Sequence, residues 1–175
     1  DTIEKPLNPI IKGCLGVYQC YLRRNTTQAV ILSSPVSISE SIEKQVVFEL
    51  KGPEQTYSGN VVLKNNCLFI LMQAANGKEF HHVYKIGQKL EPKLLQGVFS
   101  GMSTSSEPIA GRVILIRSDQ PYQQIENQSI PIEKLKQSTL LSERRIAEYF
   151  ATYEENNLSL PKSMTFSIDD LGSCD

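Results

Sequence analysis

The two histidines of this chain, His81 and His82, are adjacent, and histidine is the residue type best suited to acid–base or metal chemistry. Neighbouring residues of a strand point to opposite faces, so a regular strand cannot direct both imidazoles at one metal ion. Glu79 shares a face with His81, at a spacing that could bring a carboxylate near an imidazole. A metal site or a general base still needs a third partner, which no other motif supplies. We therefore assign no catalytic residue, no metal and no cofactor.

Arg112 is the best single candidate for contacting a ligand. It lies between Gly111 and Val113 in an otherwise apolar stretch. If its side chain points into the protein, the guanidinium needs a carboxylate or a phosphate from a ligand or from the chain itself. If the side chain points outward, it is merely solvated, and the sequence leaves both alternatives open. The predicted ligand-binding residues are Arg112, Tyr18, Tyr84, His82 and Arg117.

Eight short runs rich in β-branched and aromatic residues, separated by turn residues, must position these side chains. The predicted strands are residues 14–24, 29–39, 45–51, 56–63, 67–73, 79–86, 94–102 and 109–117. Asn76-Gly77 is the strongest hairpin signal, and Lys64-Asn65-Asn66 fits a second tight turn. Closure protects the two edges that a long meander would expose. The predicted fold is all-β, an eight-stranded antiparallel up-and-down barrel at residues 13–117 with a C-terminal helical extension.

Several aromatic residues and glycines have a structural alternative to a binding role. The candidates for a cavity lining or for core filling are Tyr18, Tyr57, Tyr84, Phe69 and Phe99. Core filling is favoured, because a barrel of this size can be packed solid by side chains. Gly97, Gly101 and Gly111 start no helix and belong to no Gly-Lys-Ser/Thr motif, so we interpret them as strand kinks rather than a phosphate-binding loop.

The residues on either side of the barrel follow other patterns. Residues 1–12 contain two prolines and no period, which indicates a linker or an extended arm. In the extension, residues 118–175, Pro131 is well placed to start a short helix that runs to Leu135. Ser142 can cap a second helix of roughly four turns. Residues 164–168 alternate and are a candidate for a ninth strand.

The second helix of the extension needs a surface for its apolar side. It either plugs or flanks the barrel, or it docks onto a partner subunit, including a second copy of the chain. The predicted docking residues are Ile146, Phe150 and Tyr153.

Gly16-Val17-Tyr18 in the first strand and Arg117 at the end of the eighth resemble the lipocalin and broader calycin pattern. In that pattern, a Gly-x-Trp on the first strand packs under an arginine near the last, and an eight-stranded up-and-down barrel closes. The resemblance implies that Tyr18 stands where the tryptophan does. It also implies that Arg117, or else Arg112, lies over the tyrosine ring as a cation–π lid.

Composition and charge exclude several classes of partner. The 18 basic and 19 acidic residues leave a net charge of -1, so no overall field attracts nucleic acid. Residues 61–75 are the most apolar region, but Lys64 interrupts it and it is shorter than the roughly 20 apolar residues that cross a bilayer. The four cysteines lack paired metal spacing, which indicates free thiols in a reducing compartment and a cytoplasmic location.

Two functions of different classes fit these observations. The first is a non-catalytic ligand-binding or regulatory barrel domain of a larger intracellular protein, with a small, partly apolar ligand in the barrel mouth. The alternative is a structural interaction module, in which the barrel is solid and the C-terminal helix pairs with another chain. An enzyme that uses His82 or Glu79 is the least favoured interpretation.

Overall fold

Eight consecutive antiparallel strands form the centre of the protein. The structure is a computed structural model in which residues 6–87 and 90–160 are described. The strands are β1 (Gly16–Arg23), β2 (Val30–Glu40), β3 (Val46–Lys51), β4 (Thr56–Lys64), β5 (Cys67–Gln73), β6 (Glu79–Lys85), β7 (Leu94–Met102) and β8 (Pro108–Arg117). Each strand pairs with its neighbours in sequence, and β1 also pairs with β8. The sheet is a closed up-and-down barrel, which confirms the predicted fold class.

Local sequence explains these strands and their turns. In β5, every second residue from Leu68 to Met72 is buried and the residues between them are exposed, because successive side chains of a strand point to opposite faces. Asn65 and Asn66 have φ values of 49° and 60°, and Gly77 has a φ of 82°. Asparagine and glycine tolerate this left-handed backbone, so both predicted tight turns are confirmed.

Aromatic rings paired with glycines fill the barrel. Four pairs of directly opposite residues join an inward ring to a glycine: Tyr84 with Gly97, Phe80 with Gly101, Phe99 with Gly111 and Phe48 with Gly59. A Cβ on Gly97 would lie only 2.8 Å from Cδ1 of Tyr84, so the ring needs the space that this glycine leaves. Phe48 and Tyr84 lie on strands that are not neighbours, yet their rings stack with centroids 6.1 Å apart. Side chains therefore meet across the interior.

A short helix, α1 (Pro9–Cys14), covers one end of the barrel. The sequence predicts a linker or an extended arm at residues 1–12; residues 1–5 lie outside the described residues, and a capped helix begins at Pro9. The Asn8 side chain accepts a hydrogen bond from the Ile10 backbone N–H at 2.8 Å, and proline suits the first helical position. Leu7 and Ile11 then pack against the barrel core.

The extension contributes both helices and strands. After a 3-10 turn (Tyr122–Gln124) come β9 (Gln128–Pro131), α2 (Ile132–Lys136), α3 (Leu141–Tyr149), α4 (Tyr153–Asn156) and β10 (Asn157–Ser159). The two predicted helices are confirmed as α2 and α3. Helix α3 begins before the predicted cap, Ser142, and has only nine residues. The candidate ninth strand at residues 164–168 lies outside the described residues.

Helices α2 and α3 pack on the outside of β8, β1 and β2. The apolar cluster between them contains Ile132, Leu135, Ile146, Ala147 and Phe150 of the extension. The strands contribute the outward side chains Tyr21, Ile31, Ile114 and Ile116, which we call the covered face. Of the predicted alternatives for the second helix, the structure shows the one in which it flanks the barrel.

Three buried polar side chains hold the segment that follows α3. The backbone carbonyls of residues 149–153 accept hydrogen bonds from the side chains of Arg23, Asn156 and Asn157. Arg23 Nη1 donates two of these bonds, at 2.7 and 3.1 Å. Arg23 Nε and both asparagine Oδ1 atoms have no partner among the described residues. They are the unused ends of side chains whose other ends bind this segment. Arg23, which is distant in sequence, thus binds the carbonyls just past the end of α3, and the two asparagines bind within the segment itself.

Strand β2 pairs with β1 on one side, and the strand on its other side changes at Pro35. Residues 30–33 pair with β9, whereas residues 36–40 pair with β3. Proline has no N–H to donate, so it fits where one neighbour ends and the next begins. Asn127 bridges this gap with hydrogen bonds of 2.7 Å to β2 and 3.0 Å to β3. The barrel wall is therefore completed here by residues of the extension.

Candidate functional site

Arg117 and Tyr18, two of the predicted ligand-binding residues, close one end of the barrel. The Arg117 guanidinium lies over the Tyr18 ring, 4.9 Å from its centroid, so the lid implied by the resemblance is present. Arg117 also donates hydrogen bonds of 2.8 to 3.1 Å to the Tyr18 hydroxyl and to the carbonyls of Gly13, Leu15 and Pro92. Most of its N–H groups therefore bind the chain itself.

The Tyr18 hydroxyl is bonded on both sides. It donates to the Cys14 carbonyl at 2.6 Å and accepts from Arg117. Tyr18 is fully buried, and this burial raises the pKa of its hydroxyl. Gly16 has a φ of 147°, and a Cβ there would collide with the Arg117 guanidinium. Gly16, Tyr18 and Arg117 thus form one structural unit.

His82 and Tyr84 lie inside the barrel and bond to each other. His82 Nδ1 is 2.6 Å from the Tyr84 hydroxyl, and both residues are buried. Burial, helped by the nearby His81, lowers the pKa of His82 to about 3, so its imidazole is neutral near pH 7. Phe48 and Phe99 pack against His82, each with its ring centroid 6.0 Å away. The sequence predicts a ligand in the barrel mouth with His82 and Tyr84 among its contacts, whereas the structure places both side chains in the packed interior.

Arg112 lies on the outer face of the barrel. Its neighbour Val113 belongs to the barrel core, and side chains alternate along β8. A ligand contact in the barrel mouth needs Arg112 on the inner face, so this part of the prediction is corrected. The guanidinium lies 5.6 Å from the centroid of the Tyr149 ring. Its side chain is half-buried and has no hydrogen-bond or carboxylate partner among the described residues.

Two grooves lie on either side of the contact between Arg112 and Tyr149. Groove A, about 430 Å³, lies between the α4–β10 segment and the outside of β6, β7 and β8; its lining includes Arg112 and Glu154. Groove B, about 610 Å³, lies between α3 and the outside of β7 and β8; its lining includes Lys93 and Arg145. Both volumes fall within the range of small-molecule sites.

An apolar row crosses the outside of four neighbouring strands. It consists of directly paired residues on β4, β5, β6 and β7: Val62, Phe69, Val83 and Val98. Val62, Phe69 and Val98 are 46%, 42% and 56% exposed, and the adjacent Leu71 is 47% exposed. We call these five residues the bare face. The sequence predicts Phe69 in a cavity or the core, and the structure corrects this because Phe69 points outward.

One feature of the sequence marks the bare face, although it does not by itself predict an exposed surface. Residues 67–73 are apolar at both inward and outward positions, which is typical of a strand covered on both sides. The structure covers only the inward side, where Leu68, Ile70 and Met72 are buried. The outward Phe69 and Leu71 therefore need a cover that the described residues do not provide.

Lysines border the bare face along one side. Lys64, Cys67, Lys85 and Gln96 form a second row, which runs parallel to the apolar row and two residues further along each strand. Arg112 pairs with Val98 and ends the apolar row. Among residues 6–87 and 90–160, none of these three cations has a carboxylate partner. The apolar row thus has a basic border.

The predicted docking residues are used within the chain. Ile146 and Phe150 are buried against the covered face. The Tyr153 hydroxyl donates to the Asn25 side chain at 3.4 Å, and its ring lies 5.8 Å from the Arg23 guanidinium carbon. A partner could reach Ile146 and Phe150 only if α3 left the barrel, so in this fold they are structural residues.

The remaining candidates for chemistry are Glu79 and any cluster of metal-ligating residues. Glu79 accepts a hydrogen bond from Gln73. Within the described ranges, no group of three His, Cys, Asp or Glu residues could hold a metal ion. The helices in these ranges are too short or too polar to cross a membrane. Comparisons with protein-family models, with curated proteins and with solved structures find no match.

Proposed function

We propose that this protein is a non-catalytic interaction module that binds a segment of another protein on its bare face. The barrel is the rigid support, and its outer strands present the apolar row with its basic border. The observation that carries the proposal is the exposure of Val62, Phe69, Leu71 and Val98 on regular strands. A sheet with one face on the core normally has polar residues on the other, and contiguous exposed apolar surface marks interaction sites.

The filled interior supports an interaction surface over a ligand cavity. Phe48, His82 and Tyr84 contact one another in the middle of the barrel, and Tyr18 with Arg117 closes one end. A ligand in the interior would displace packed rings and break the hydrogen bond between His82 and Tyr84. A partner on the bare face requires no such rearrangement.

The thiols support a cytoplasmic location as part of the same proposal. Cys14, Cys20 and Cys67 are free, and the first two are buried. Free thiols persist in a reducing compartment, whereas oxidising compartments favour disulfides. An interaction module in the cytoplasm is consistent with this chemistry.

A displayed library of random peptides tests the proposed function. The full chain is the bait, and the affinities of selected peptides are then measured by calorimetry for the wild type and for Phe69→Glu. We expect Phe69→Glu to abolish binding, because an unpaired charge is costly to bury against an apolar partner.

Ile42→Glu is the matched control for that experiment. Ile42 is a fully exposed apolar residue in the β2–β3 turn, away from the bare face, so the same change should leave binding intact. Selected peptides that bind Phe69→Glu as tightly as the wild type would overturn the proposal. A selection that enriches no binding peptide would count against it as well.

A second candidate function is the binding of a small, partly apolar ligand with an anionic group in groove A. Arg112 favours it, because its guanidinium lines the groove and forms no ion pair with Glu154 or Glu155, which line the groove as well. Native mass spectrometry of the wild type and of Arg112→Gln tests this function. A bound molecule is expected on the wild type and not on the variant, and equal occupancy of both would rule out the role of Arg112.

A further inference from the structure

We infer that the partner segment is an amphipathic α-helix with acidic residues along one flank. This inference rests on the proposed function and adds the chemistry of the partner. It comes from three features of the bare face: the parallel apolar and basic rows, the unpaired cations, and the closed hydrogen bonding of the strands below.

The first feature is the arrangement of the two rows. The apolar row spans four strands, or about 14 Å, and the basic row lies about 7 Å to one side of it. A helix has a diameter of about 10 Å with its side chains and rises 1.5 Å per residue. Because the wall of the closed barrel curves, a helix of roughly ten residues packs one stripe against the middle of the apolar row, Phe69 and Val83, and reaches the basic row with one flank.

The second feature is the charge of the border. Lys64 and Lys85 are exposed and have no carboxylate partner among the described residues. Arg112, at the end of the apolar row, has none either, but it is half-buried and lies over the Tyr149 ring. Glu79, on the same side of β6, lies at the other end of the strand and is bonded to Gln73. Acidic residues on one flank of the partner would complement the basic row.

The third feature excludes an extended partner that adds a strand. Strands β5, β6 and β7 are paired on both sides, and β4 pairs with β3 over residues 56–60, so Phe69, Val83 and Val98 lie away from any free strand edge. An extended segment laid over apolar side chains would leave its N–H and C=O groups without partners. A helix satisfies those groups internally, and the chain already packs α3 in this way on the covered face.

The side chains of the bare face favour a protein partner over a membrane. Three of the five are valines on regular strands, and all are partly shielded by their neighbours. Surfaces that enter a lipid interface usually rely on larger apolar side chains along an amphipathic helix. A row in which short valines flank Phe69 instead suits packing against a complementary helix.

Three synthetic helical peptides with one shared leucine stripe test the inference. They carry Glu, Gln or Lys along the same flank, and their binding to the full chain is measured by calorimetry. We expect the Glu peptide to bind about threefold to tenfold more tightly than the Gln peptide, because exposed ion pairs add a modest free energy each. The Lys peptide should bind most weakly, and added salt should reduce these differences.

Charge reversal identifies the residues responsible. Lys64→Glu combined with Lys85→Glu should invert the preference, so that the Lys peptide binds best. Lys134→Glu is the matched control, because Lys134 is an exposed lysine on α2, on the covered side of the barrel. Equal affinity for all three peptides, with binding still lost in Phe69→Glu, would overturn the acidic flank and leave the proposed function intact.

Two further measurements test whether the bare face instead binds a lipid surface or a second copy of the chain. Vesicles of phosphatidylcholine with phosphatidylserine replace the peptides in a flotation assay, and sedimentation velocity reports self-association of the full chain. Flotation that Phe69→Glu abolishes would overturn the inference in favour of a lipid surface. Self-association that Phe69→Glu abolishes would overturn it in favour of a second copy. A monomer that stays off vesicles and binds the Glu peptide supports it.

Discussion

The covered face and the bare face belong to one barrel and differ in what lies on them. On the covered face, Ile31 and Ile114 are buried beneath α2 and α3. On the bare face, Phe69 and Val98 remain exposed, although their strands alternate in the same way. Both faces carry apolar residues at outward positions, so the strand pattern does not decide burial. Burial depends on whether a later part of the chain supplies a helix.

The borders of the two faces differ in their charge balance. Beside the covered face, Arg23 donates two hydrogen bonds to carbonyls that follow α3, so its charge is met by the C-terminal end of a helix. Beside the bare face, Lys64 and Lys85 have no carboxylate partner in the described part of the chain. The bare face thus resembles the helix-binding face of this barrel, but none of the described helices lies on it.

The largest effect is expected from a charge beneath the helices of the covered face. Phe150→Asp removes a fully buried ring and places a carboxylate in an apolar cluster. We expect a loss of at least about 3 to 5 kcal/mol in the free energy of unfolding. Urea denaturation followed by circular dichroism measures it. A loss below about 1 kcal/mol would mean that α3 contributes little to the covered face.

The second-largest loss of stability is expected inside the barrel, and it tests whether side chains fill the interior. Gly97→Val places side-chain atoms against the Tyr84 ring and the Val83 carbonyl. Overpacking of this kind costs about 1 to 3 kcal/mol, and backbone collisions raise the cost. Thermal unfolding measures it, with Gly87→Val as the control because a Cβ at Gly87 meets no atom within 4 Å. Equal melting temperatures for the two variants would indicate an unfilled interior.

A smaller effect follows from the buried imidazole of His82. Burial lowers its pKa from 6.5 to about 3. Between these values the unfolded chain binds one more proton than the folded chain, so stability falls as the pH falls, by about 1.4 kcal/mol per pH unit at the steepest. Urea midpoints between pH 7 and pH 4 measure the slope.

Two variants separate this slope from the general acid response of the carboxylates. His82→Gln should remove the contribution of one proton, at some cost in packing. His81→Gln should retain it, because His81 is exposed on the outside of the same strand. An unchanged slope in His82→Gln would contradict a neutral, buried His82.

The smallest effect on stability is expected on the bare face. Phe69→Asp should lower the free energy of unfolding by about 1 kcal/mol, because the ring loses its cross-strand packing and aspartate is disfavoured in strands, while the new carboxylate stays solvated. The same urea assay as for Phe150→Asp measures it, so the pair compares the two faces directly. A loss as large as that of Phe150→Asp would show that the bare face is covered in solution.

Alternation and turn chemistry made the eight strands predictable. Each predicted strand lies within two residues of the observed one at either end, because inward and outward positions differ along most of the barrel. Tyr18 and Arg117 were predictable as a pair from the resemblance. Strands β9 and β10 were not, since they are only four and three residues long and exist through pairing with β2 and β8.

The candidate site was much less predictable than the fold. The inward or outward direction of Arg112 depends on the register of β8, and one residue of shift would reverse it. The covering of Ile146 and Phe150 depends on contacts with Ile31 and Ile114, which are distant in sequence. The bare face required knowing that no described helix reaches Phe69. In each case the missing information was a long-range contact.

Because β2 changes its pairing partner at Pro35, the barrel wall depends on residues that follow the eighth strand. Residues 30–33 receive their second hydrogen-bonded neighbour from β9, which comes after the eighth strand in the chain. A chain ending at Arg117 would therefore retain an open edge and would expose Ile31. During synthesis, this part of the wall can be completed only after β9 has left the ribosome. We accordingly expect strands and extension to melt together in a single cooperative transition.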